Sequence, residues 1–92
     1  MTSEQVFAVR TGAQRHIDGA LIRVSIVGDD ELGGFVDFGV SHGDWGDVVR
    51  LREGDQLEVP GWGPLLVVSI ARSDEPSRCG VVLMRLPAVS EG

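Results

Sequence analysis

The chain has 92 residues, enough for one domain with a single core that buries roughly 60 to 65% of the surface its unfolded form exposes, and too few for a second domain or a deep enclosed pocket. With 42% hydrophobic residues, only 5% aromatic and no Tyr, the core has to be Val, Leu and Ile, and that β-branched, aliphatic content favours strands. A net charge of −6 repels phosphate backbones and anionic lipid, which argues against nucleic acid and membrane surfaces as partners.

Met1 to Gln5 is a polar lead-in with neither a basic nor an apolar signal region, and no apolar run approaches the roughly 20 residues of a membrane span. Val6 to Arg10 is a first short strand, and Thr11 to Gly19 reads as a loop carrying Gly12, His16 and Asp18. Ala20 to Val27 is the clearest strand, with Ile22, Val24 and Ile26 on one face and Arg23 and Ser25 on the other. The glycines and acids of Gly28 to Gly34 break it. Phe35 to Val40 is the third strand, with Val36, Phe38 and Val40 inward and Asp37 opposite.

Ser41 to Asp47 reads as a short, polar, glycine-rich connection that still holds Trp45. From Val48 to Ala71 three apolar or alternating runs are cut by Arg52-Glu53-Gly54-Asp55 and by Pro60-Gly61-Trp62-Gly63-Pro64, and that punctuation predicts a three-strand meander. In it Leu57 and Val59 face inward and Gln56 and Glu58 outward. Leu65 to Ala71, apolar on both faces apart from Ser69, should lie centrally with cover on each side. Arg72 to Arg78 is a charged turn holding Pro76. Gly80 to Leu86 closes the set, with Val82, Met84 and Leu86 on one face and Arg85 on the other; Pro87 ends it and residues 88–92 form a tail.

Seven strands starting about 8 to 15 residues apart, with no sustained 3.6-residue period, predict one all-β domain over residues 1–92, a small antiparallel sandwich or partly open barrel. A single cysteine, Cys79, allows no internal disulfide and suits a reducing compartment, so cytoplasmic residence is the expectation.

The chemistry-bearing residues are few. His16-x-Asp18 and His42-x-Asp44 each place two groups on one side of an extended segment, as metal ligands or a proton-transfer pair require. If their loops meet, the four form a candidate site for zinc or manganese; the competing reading is ordinary polar loop residues whose carboxylates stabilise turns. Asp29, Asp30 and Glu31 offer hard oxygen ligands for calcium without the EF-hand spacing, and a solvated hairpin tip is the plainer reading. Cys79 as nucleophile with His42 or His16 as base has no surrounding signature, and a lone Cys beside a strand packs as a small hydrophobe.

Trp45 and Trp62 lie in glycine-bounded segments that do not force a core role. As exposed rings they would anchor a protein or stack on a sugar, with Asp44 and Asp47 beside them; folded back, each would lid an open end of the sheet.

The segment Gly54-Asp55-Gln56-Leu57-Glu58-Val59-Pro60-Gly61 resembles part of the second cupin motif, in which a Gly is followed six residues later by Pro. Trp62 stands where that motif has its second Gly, and the downstream His and the preceding His-x-His cluster are missing, so the resemblance does not extend to a metal-dependent activity. Arg50-Leu51, Gly54-Asp55, Leu57 and Val59 followed by an apolar strand are similar to small all-β domains of unknown function from actinobacteria. That likeness implies a fold and names no activity.

The sequence therefore leads to a non-enzymatic binding or assembly module, without cofactor, that recognises a protein partner or a second copy of itself through an exposed edge strand or the Trp45 and Trp62 segments. The alternatives are a carbohydrate-type ligand stacked on Trp45 and, behind it, a metal-assisted enzyme built on His16, Asp18, His42 and Asp44.

Overall fold

The protein, described here by a computed structural model over residues 5–75 and 78–86, is all β. Pro76, Pro87 and the tails beyond lie outside the described residues. Eight strands form two four-stranded antiparallel sheets: β1 (Gln5–Arg10), β2 (Gln14–Ile17), β3 (Ala20–Asp30), β4 (Gly33–His42), β5 (Trp45–Leu51), β6 (Gln56–Val59), β7 (Gly63–Ala71) and β8 (Gly80–Arg85). The first sheet has the order β1-β8-β7-β6 and the second β2-β3-β4-β5.

The second sheet is a chain of hairpins, and the first closes when β8 returns beside β1. The expected meander over Val48–Ala71 is thus divided. β6 and β7 pair as predicted, around a turn in which Trp62 N donates to Val59 O at 3.0 Å and Gly61 takes a positive φ of 74°. Pro60-Gly61 is suited to that geometry because proline presets one central position and glycine accepts the other. β5, however, stays with the second sheet. The Arg52–Asp55 turn passes the chain between sheets, since Asp55 O accepts from Val67 N and Gly54 N donates to Val67 O.

An eighth strand, β2, occupies the segment expected to be a loop. It pairs along one side only and exposes Gln14, Arg15 and His16, so its residues carry no inward period to betray it. The Ser41–Asp47 connection shrinks in turn, because β4 runs on to His42 and β5 starts at Trp45. What remains is the two-residue turn Gly43-Asp44, with Gly43 at φ 61°, the position where a tight hairpin calls for glycine.

The core lies between the sheets. Phe7, Val9, Ile22, Val24, Val36, Phe38, Val40, Val59, Leu65, Val67, Val81 and Leu83 are buried in one cluster, mostly at alternate positions along their strands. Two bulges break the alternation. Between Val24 and Ile26 the register with β4 shifts, so Ile26 is 52% exposed and Val27 packs against the core instead. Between Val67 and Ser69 the same happens in β7: Val68 is turned out and Ile70 packs inward. An extra residue on one strand exchanges the faces of everything after it, which corrects the predicted inward Ile26. The outer face of β7 is only partly covered, despite its apolar side chains. In β8 the buried face carries Val81 and Leu83, while Val82 and Met84 are half-buried; with apolar residues on both faces, alternation alone does not select a side.

Candidate functional site

The outer face of the second sheet is unusually bare. Two rows run across its three long strands: Arg23, Gly39 and Val48 in one, and Leu21, Ser41 and Gly46 in the next. With Ser25 these residues line a shallow trough of about 670 Å³. Its floor is glycine and serine, its walls are the aliphatic side chains of Leu21 and Val48, and Arg23 supplies the one cation among the lining residues. Val48 is 75% exposed.

The fold does not demand those glycines. A Cβ at Gly39 would come no closer than 3.8 Å to Asp47 O and Val48 Cγ2, and one at Gly46 would sit 3.6 Å from Ser41 Cβ. These are ordinary contacts, and neither glycine has a positive φ. Mid-strand glycine weakens a strand and marks places where another backbone or a ligand approaches.

The trough is bounded at one end by a fixed ion pair. Arg50 Nε and Nη2 donate to the two oxygens of Asp37 at 2.7 and 3.0 Å, and the same guanidinium lies 3.8 Å from the centre of the Phe35 ring. Phe35 is buried on this outer face, outside the core cluster. The Arg50 hydrogen bond holds the Asp37 carboxyl below the ordinary carboxylate range, since a hydrogen-bonded cation favours the charged form. Beyond it, Arg52 donates to both oxygens of Asp30 at 2.8 and 2.6 Å and lowers that carboxyl in the same way.

A second depression, of about 350 Å³ between Leu32, Gly34, Arg52, Glu53, Ile70 and Arg72, has its charges already engaged. Arg52 holds Asp30, Arg72 pairs with Asp29, and Glu53 accepts from Ile70 N. Asp29 and Asp30, considered above as calcium ligands, are therefore each bound to an arginine.

The residues singled out in the sequence fall in different places. Trp62 is 3% exposed and its indole N–H donates to Ile17 O at 2.9 Å, so it lids one end of the core and offers no face to a partner. Trp45 is half-buried on the edge strand β5, packed against the core cluster. Asp44 is exposed in the hairpin turn. Asp47 borders the trough, and its carboxylate accepts from Val48 N at 2.9 Å.

Among the described residues no three His, Cys, Asp or Glu side chains gather as metal ligands. His42 Nδ1 lies 3.0 Å from Pro60 O, while Asp18 pairs with Arg85 at 2.6 Å. His16 is exposed on β2. Cys79 is buried, and its Sγ is hydrogen-bonded to the backbone of Ser73 and Glu75, with no imidazole among its partners.

Sequence reasoning missed Leu21, Arg23, Gly39, Gly46 and Val48 as a group. The available signal was Gly39, a glycine inside a strand on the face opposite Phe38 and Val40. The chain matches no protein-family model, no curated protein and no solved structure in the comparisons made with them. No helix among the described residues is long and apolar enough to cross a membrane.

Proposed function

We propose that the protein is a non-enzymatic binding module that takes a protein partner on the outer face of its second sheet, beside the open edge of β5. The observation that supports this most is the pair Gly39 and Gly46. Both positions have room for a side chain, and both leave the strand backbone open between Leu21 and Val48. A bare, shallow, partly aliphatic surface suits an extended polypeptide better than a small molecule, which binds in concave sites that enclose most of it. The net charge of −6 keeps nucleic acid and anionic membranes out of the reading.

The test is Gly39→Thr, which puts a strand-favouring side chain on the floor. Affinity capture with the native protein and with this variant, followed by identification of what is retained, is expected to lose a specific partner while the melting temperature holds or rises. Retention of every partner by a correctly folded Gly39→Thr protein overturns the reading.

A further inference from the structure

Among the described residues no strand pairs with the outer side of β5, the last strand of its sheet, and Asp47 sits on that edge. In a two-residue hairpin the flanking pair, here His42 and Trp45, is the hydrogen-bonded kind, so Trp45, Asp47, Val49 and Leu51 bond to β4 and the backbone groups of Gly46, Val48 and Arg50 point away from the sheet. Val48 N–H lies at the middle of that outward row. Its donor is taken by the carboxylate of the preceding residue, Asp47 Oδ1, at 2.9 Å.

We propose that Asp47 is a guard on a self-complementary edge, and that with the guard removed β5 pairs antiparallel with β5 of a second copy about a twofold axis at Val48. This rests on the reading of the β5 side as the docking side. The register follows from that axis. Val48 meets Val48 of the second copy, and Gly46, lacking a side chain, faces Arg50 of the second copy. Trp45 faces Leu51 of the second copy on the inner side. About six backbone hydrogen bonds form. Gly46, Asp47, Val48 and Arg50 are all exposed, so no described residue covers the edge.

Two effects make Asp47 the guard. Its carboxylate satisfies the central donor within the chain, and pairing would bring two such carboxylates to diagonal positions beside the axis, where like charges repel. Charged side chains on an edge strand are a known means of blunting sheet edges. One strand pair buries less than the roughly 1,200 Å² of a standard interface, so the association is concentration-dependent.

The experiment is sedimentation velocity on the full chain over a wide concentration range. The native protein is expected to keep the mass of one chain. Asp47→Ala is expected to reach the mass of two, with self-association tighter by about tenfold or more. Adding Val48→Pro, which removes the central N–H at an edge position where proline is tolerated, should return it to one chain. If circular dichroism shows Asp47→Ala to be unfolded, Asp47→Val replaces it. A native dimer, an Asp47 variant that stays a single chain, or a dimer that survives Val48→Pro overturns the proposal. The Gly39→Thr capture reads the sheet face and the sedimentation of the Asp47 variants reads its edge, so the failure of one is distinguishable from the failure of the other.

Discussion

Arg85 stacks on Trp62 and at the same time holds that residue's backbone. Its guanidinium lies 4.3 Å from the ring and donates to Trp62 O at 2.8 and 3.2 Å, while Nη1 reaches Asp18 at 2.6 Å. One planar cation thus ties β8, the β6–β7 turn and the β2–β3 turn. Arg85→Lys keeps the charge and loses both the fork and the stack. It is expected to lower the melting temperature by several degrees, a domain of this size losing about 4 to 8 °C per kcal/mol. A melt unchanged from the native protein would show the tie to be dispensable.

Trp62 itself should be a pillar of stability. Truncating a buried Trp removes its packing and opens a cavity, at about 3 to 5 kcal/mol, and in Trp62→Ala the Ile17 carbonyl loses its donor as well. Chemical denaturation of Trp62→Ala is expected to begin at or near zero denaturant. In Trp45→Phe, where Trp62 is the single emitter, acrylamide should quench fluorescence poorly; quenching as strong as in the unfolded chain would contradict its burial.

The two clamped carboxyls set an acid limit. Arg50 lowers Asp37 and Arg52 lowers Asp30, so in each case the folded value lies below the unfolded value near 4. Their stabilisation is therefore complete above about pH 4 and is lost as the pH falls through the lower, folded values. Arg50→Ala returns Asp37 towards its ordinary value. Melting curves from pH 7 to pH 2 should show a shallower acid loss for that variant, and parallel curves would exclude the contribution.

Cys79 should be inert in the native fold. Its sulfur is buried and held by the loop that follows β7, and a thiol in such a place does not meet reagents readily. An aromatic disulfide reagent is expected to react fully in denaturant and slowly without it. Rapid native reaction would mean that the loop opens often.

Several of these features were legible beforehand, for reasons that are local. Val36, Phe38 and Val40 alternate with polar or small neighbours, as do Leu57 and Val59, and each set lands inward or partly so. Pro60-Gly61 states its own turn. The misses share a different cause: they depend on residues far along the chain. β5 is held in the second sheet by its hairpin with β4, but that the chain then leaves for the other sheet is fixed by Asp55 pairing with Val67, a contact no window around β5 contains. Ile26 is turned out, and Ile70 turned in, by bulges that exist only against a partner strand. The direction of the Trp62 ring depends on Ile17 and Arg85, distant by 45 and 23 positions. The trough was half visible, because Gly39 stands out within its own strand, but its walls come from two others.

The bulge at Ser25 has a bearing on how this protein could be reshaped. An added residue in one strand tightens the coil of the hairpin it belongs to, and beyond this one Asp29 meets Arg72 on the opposite layer. Excising Ser25 would leave Ile26 opposite Asp37 and every later side chain on its present side, while unwinding the arm. The Asp29 to Arg72 separation would then serve as a gauge of how far the arm has swung, and the length of a single strand would become a dial for its reach.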